Sequence, residues 1–152
     1  MSIVVLDTGV IAEYIDLTGR FHREADAVFK SVLDRRVIAI VPHMVLAETY
    51  YVSFRIYQKL GLDHPQERAD RLIEWVYRSP NISLAEPSLE LALLAGRTKA
   101  LFGLALTDAY VLASSKLQKG KAVFRSKEKE MVRGYDDLIR GYEIVFLGGD
   151  HR

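Results

Sequence analysis

Four acidic residues, Asp7, Glu48, Asp108 and Glu128, are the side chains of this sequence best placed to do chemistry, because each falls just beyond a stretch that reads as a buried strand. In an open parallel sheet the carboxyl ends of the strands all open onto one crevice, so acids far apart in sequence can meet there. Gathered carboxylates repel one another and their pKa values rise, so such a cluster needs a cation.

Each acid also has a structural reading. Asp7 is followed by Thr8, Gly9 and an apolar helix from Val10 to Ile15, which suits an N-cap; lifted into the crevice, it would instead bind a metal, with the Thr8 hydroxyl beside it. On a helix from His43 to Lys59, Glu48 has Met44, Val45, Tyr51 and Val52 at three and four positions, so its carboxylate is expected inside the apolar stripe. An unpaired charge there costs several kcal/mol, which a metal or a buried arginine would offset. Thr107 is expected to cap the helix that Asp108 opens. The neighbours of Asp108, Leu104, Ala105, Val111 and Leu112, put it on the apolar side, which attraction to a helix end does not explain. Glu128 and Glu130 lie in SKEKEM, a charge run that reads as a solvated loop from which either could turn inward.

The elements that must position these acids are legible as alternation. Apolar, β-branched runs occur at Ser2 to Leu6, Val37 to Val41, Asn81 to Ala85, Lys121 to Arg125 and Glu143 to Leu147. Between them, Ala25, Val28, Phe29, Val32 and Leu33, then Leu72, Trp75 and Val76, then Val111, Leu112 and Ser115 recur at helical spacing. This is the pattern of βαβ units: an α/β fold of three layers, helices on both faces of a mainly parallel five-stranded sheet. Pro42 and Pro65 mark helix starts, and Gly61, Gly103 and Gly120 mark helix ends. Loops are expected at Leu17 to Phe21, Gly61 to His64 and Arg133 to Asp136, and a frayed tail at Gly148 to Arg152.

Composition bounds the rest. The 152 residues, 49% of them apolar, suit one domain over 1–152 with a full core. A formal net charge of +1 provides no global field for nucleic acid, so attraction to phosphate must be local. There is no cysteine, which excludes disulfides, thiolate nucleophiles and cysteine zinc sites and fits a cytoplasmic protein. No membrane span is readable, since Arg97 and Lys99 interrupt the most apolar stretch. His22, His43, His64 and His151 lack zinc-site spacing. Tyr50, Tyr51, Phe54 and Tyr57 crowd one helix and read as core, with part of the group available to a twin subunit.

Taken together, VVLDTGVI, VLAETYY, LTDAYVLASSK and the triplet Ser126, Lys127, Glu128 resemble, in order and spacing, the PIN domain, a metal-dependent ribonuclease fold that includes VapC-type toxins. The resemblance runs from Ser2 to at least Met131. It implies a sheet in the order 3-2-1-4-5 and hydrolysis of single-stranded RNA with Mg²⁺ or Mn²⁺. It also implies Asp7, Glu48, Asp108 and Glu128 as catalytic metal ligands, Thr8 and Ser126 as polar companions, a homodimer, and an antitoxin partner. An all-oxygen donor set agrees with a hard divalent cation. The sequence departs from the family pattern at Gly9, where a small polar residue is common, and at Glu128, where Asp is commoner. Lys116, Lys119, Arg125, Lys127 and Lys129 would line RNA backbone, or else form a solvated lysine-rich turn. A non-catalytic PIN-like module that binds RNA or protein is the alternative. A phosphoryl-transfer α/β enzyme fits less well, because LDTGVI lacks a second Asp two positions on and no Gly-rich loop with Lys follows.

Overall fold

The structure, a computed structural model, describes residues 1–149; the expectations for His151 and the end of the tail fall outside the described residues. Five strands, β1 (Ser2–Leu6), β2 (Val37–Pro42), β3 (Ile82–Ala85), β4 (Lys121–Phe124) and β5 (Ile144–Phe146), pair in parallel in the order β3-β2-β1-β4-β5. Parallel strands are covered on both faces, which is why they stand out as near-continuous apolar runs.

The helices are α1 (Thr8–Ile15), α2 (His22–Leu33), α3 (His43–Lys59), α4 (Pro65–Arg78), α5 (Leu89–Phe102), α6 (Leu106–Leu117), α7 (Lys129–Arg133) and α8 (Tyr135–Gly141). Right-handed crossovers put α1 to α4 on one face as the chain winds from β1 to β3, and α5 to α8 on the other as it returns through β4 to β5. Packing follows that division: α1 lies against α2 and α3, and α5 against α6 and α7. Winding therefore reverses between β1 and β4, the place where such sheets open a crevice. Beneath it lies a core in which Leu6, Phe29, Leu112 and Phe124 are fully buried, with Tyr14 stacked on Phe29 at 4.0 Å between centroids.

Pro42 is the N-cap of α3 and Pro65 opens α4. Gly103 ends α5 at φ 66°, a left-handed conformation that side-chain-bearing residues seldom adopt. Several expectations are corrected. The segment Arg133 to Asp136 is not a loop: only Gly134 separates α7 from α8. Thr107 does not cap α6, whose N-cap is Ala105. Asp108 does not follow a strand, since α5 intervenes after β3. The aromatic group of α3 is not core: the helix buries Val45, Leu46, Thr49 and Ser53, while Tyr51 is exposed. Among the described residues no helix is long and apolar enough to cross a membrane.

Candidate functional site

Asp7 stands where β1 leaves the sheet, and its N–H donates to the Val123 carbonyl of β4 at 3.1 Å, which fixes it at the crossover between the two strands. Its Oδ2 accepts from the Gly9 N–H at 3.2 Å and caps α1, whereas Oδ1 is buried without a hydrogen-bond partner. One oxygen thus caps the helix, and the other is left buried without a partner. Burial is the main cause that pushes the Asp7 carboxyl up to about 7; the Gly9 N–H opposes it and the Glu48 charge adds to it. The Thr8 hydroxyl is likewise buried without a partner.

Asp108 enters from the opposite face, in the first turn of α6, and is buried as its apolar neighbours foretold. Its carboxyl is held well above the usual carboxylate range, first by burial and then by the charges of Asp7, Glu128 and Glu48. Glu48 differs from expectation. It is half-buried at the edge of the crevice, because the buried stripe of α3 runs one residue away through Val45 and Thr49. The Thr107 hydroxyl donates to Glu48 Oε2 at 3.0 Å, so the residue read as a cap orients an acid instead.

Glu128 takes the N-cap position of α7 at the exposed rim, near enough to Asp108 to act on its carboxyl. Burial of part of its surface, then the nearby Glu130, raises its pKa. Glu128, not Glu130, is the rim acid whose charge reaches Asp7 and Asp108. The four acids, spread over the chain, therefore act on one another in a single crevice.

Among the described residues no Lys or Arg forms an ion pair with any of the four. Nor, among the described residues, do any three His, Cys, Asp or Glu side chains stand close enough together to hold a metal ion as they are placed. Like charges brought this close raise one another's pKa values, as they do at Asp7 and Asp108. An orphaned buried carboxylate oxygen, three raised carboxyls and an all-oxygen donor set are of the chemistry that suits a hard divalent cation.

Sequence reasoning missed Glu13. It is buried on α1, accepts from Arg125 Nε at 2.5 Å through Oε1, and accepts from the Phe21 N–H at 3.0 Å through Oε2. Its signal was present: a charge three residues after Val10 within an apolar helix, the same anomaly that picked out Glu48. Gly9 is also explained, since a Cβ there would stand 2.8 Å from the Arg125 Cβ. Ser126 is half-buried, with its hydroxyl 3.5 Å from Arg125 Nη1.

The basic run is divided by the fold. Arg125, Lys127 and Lys129 lie at the carboxyl edge, with Lys127 over the Tyr135 ring at 3.6 Å. Lys116 lies in the last turn of α6, Lys119 in the turn that follows, and Lys121 starts β4, so all three lie at the opposite edge of the sheet and not beside the acids. The eight residues from Asp108 to Lys116 alone span about 12 Å of helix.

A model of the PIN domain family matches residues 4–134. Among solved structures the chain is similar to VapC20 of Mycobacterium tuberculosis, a sarcin-ricin loop cleaving toxin, with 14% identity and TM-score 0.65 over 86% of this chain and 95% of that one. It is similar to VapBC2 from Rickettsia felis, crystallised with a promoter DNA fragment, with 11% identity and TM-score 0.63 over 93% and 96% of the two chains. A toxin–antitoxin complex from Klebsiella pneumoniae gives 17% identity and TM-score 0.59 over 95% and 97%. No curated protein sequence matches. At such identities the structural likeness speaks for the fold.

Proposed function

The chain belongs to the PIN domain family, and from that premise we propose that it is a metal-dependent endoribonuclease cleaving single-stranded RNA, the toxin of a toxin–antitoxin pair. The observation that carries this reading is the meeting of Asp7 and Asp108, both buried and both raised, with no cationic side chain among the described residues paired to them. In this reading residues 1–152 form one cytoplasmic catalytic domain, paired as a homodimer and restrained by an antitoxin protein.

Asp7 and Asp108 would hold Mg²⁺ or Mn²⁺, with Glu48 and Glu128 completing the acidic ring and Thr8 and Ser126 beside it. When bound, the cation supplies an activated water for in-line attack on phosphorus and offsets charge on the phosphoryl oxygens and leaving group. The protein's own part is positioning. The Gly9 N–H holds one oxygen of Asp7 and leaves the other without a hydrogen-bond partner, and Thr107 fixes Glu48. Asp108, whose carboxyl burial and the neighbouring acids hold high, has to lose its proton before it can serve as an anionic ligand. No side chain is required as a nucleophile.

Incubation with single-stranded RNA and Mn²⁺ or Mg²⁺ tests the reading. Cleavage is expected, and Asp7→Asn and Asp108→Asn are each expected to lower its rate at least about 100-fold. Undiminished cutting by these variants would refute it. The exposed rim position of Glu128 and the unclosed acidic ring favour one other reading, a non-catalytic module that holds RNA or a protein. That version would bind RNA without cutting it in either metal.

A further inference from the structure

Arg125 is gripped by groups outside the acidic ring. Buried Glu13 takes its Nε, and its guanidinium lies over the Phe21 ring, 5.1 Å from the centroid, while Arg20 stands 5.2 Å from the same centroid. Glu13 also accepts from the Phe21 N–H, so one carboxylate fixes both the arginine and the ring beneath it. The stem of Arg125 fills the space over Gly9: a Cβ built at Gly9 would lie 2.8 Å from the Arg125 Cβ and 3.4 Å from Asp7 Oδ2. The arginine is therefore a direct neighbour of the turn that carries Asp7, yet it pairs with Glu13 and not with Asp7.

Its outer edge is left over. The side chain is 42% exposed. Nη1 reaches Ser126 Oγ only at 3.5 Å, and Nη2 makes no hydrogen bond among the described residues. A guanidinium is a planar fork of five donors whose geometry matches phosphate, and one already clamped by a carboxylate and a ring loses little freedom on taking a ligand. Arg20 and Arg125 against the single carboxylate of Glu13 leave one positive charge unbalanced at the border of an acidic crevice, where a polyanion needs it.

We propose that Arg125, clamped by Glu13 and Phe21 and supported by Arg20, is a positioning residue that grips the RNA backbone phosphate adjoining the one presented to the acidic ring. This rests on the nuclease reading. The fork is engaged by Glu13 and not by the Asp7 carboxylate, so it is assigned to a neighbouring phosphate and not the scissile one.

Binding of a fluorescently labelled single-stranded RNA is followed by anisotropy over a KCl series, in protein carrying Asp108→Asn so that the RNA survives. Adding Arg125→Gln is expected to weaken binding roughly tenfold at low salt and to reduce the slope of log affinity against log salt by about 0.7, the value for one lost phosphate contact on a single strand. Arg125→Lys is expected to restore the slope but not the full affinity, since it keeps the charge and loses the fork. In the cutting protein, Arg125→Gln is expected to raise KM while kcat stays within about twofold. Because Arg125→Gln strands a buried carboxylate, the double variant Glu13→Gln/Arg125→Gln, which removes the pair as a unit, repeats each measurement. A folded single or double variant with unchanged slope and KM overturns the proposal while leaving the nuclease standing; a wild-type chain that neither binds nor cuts RNA with Mn²⁺ overturns both.

Discussion

The two oxygens of Asp7 differ: Oδ2 closes the first turn of α1, while Oδ1 is buried without a hydrogen-bond partner. That arrangement makes stability depend on pH. A carboxyl whose folded pKa lies above its unfolded one takes up a proton on folding between the two values, so stability is fully present below the lower value and falls as pH rises through the window. For Asp7 the window runs from its ordinary 3.8 to about 7, and the loss across it is at most roughly 4 kcal/mol. Metal-free protein is expected to melt at progressively lower temperature from about pH 4 to about pH 7, and Asp7→Asn to reduce that slope. A melting curve indifferent to pH, or a slope untouched by Asp7→Asn, counts against the assignment. Asp7 and Asp108 were legible in the sequence because a charge at a strand end and a charge among apolar helical neighbours are local signals. The same signal misjudged Glu48, which is only half-buried, and was overlooked at Glu13, which is buried.

The exit of β4 and the first turn of α1 are built against each other, and the contact runs through a missing side chain. With Arg125 Cβ 2.8 Å from where a Cβ on Gly9 would stand, the two elements can approach only because position 9 is glycine. Gly9→Ala is expected to cost about 1–3 kcal/mol through that overlap. Gly96→Ala, on α5 with nothing within 4 Å of its added Cβ, is expected to be neutral or stabilising by up to ~1 kcal/mol. Thermal melting of the two variants side by side checks the contrast, and equal melting temperatures would contradict it. The limits of β1 and α3 could be read from the chain because apolar periodicity and proline set them. The helix pair α7 and α8 could not: Arg133, Gly134, Tyr135 and Asp136 carry turn chemistry, and both short helices depend on Met131 and Leu138 being buried by the rest of the fold.

In the whole molecule, the reversal of winding between β1 and β4 brings acids from α3, α6 and the β4 exit around the one at the end of β1. On the proposed reading, a cation held in this crevice would bind the folded chain alone and so stabilise it by mass action: at one hundred times its dissociation constant about 2.7 kcal/mol, or roughly 5–10 °C for a chain of this size. Mn²⁺ titration followed by melting is expected to give such a rise in wild type and little in Asp7→Asn, whereas a non-catalytic relative with no ion site would give none in either. The sequence by itself determined the strand and helix alternation, hence the layered sheet, and which acids break the apolar pattern, because periodicity and propensity act over a few residues. Only the tertiary structure decided how deep each acid lies, that Arg125 answers to Glu13, that Thr107 serves Glu48, and that Lys116 and Lys119 are carried to the far edge from the acids. Depth and pairing are properties of surfaces brought together from distant parts of the chain, and no short stretch of residues encodes what will be packed against it.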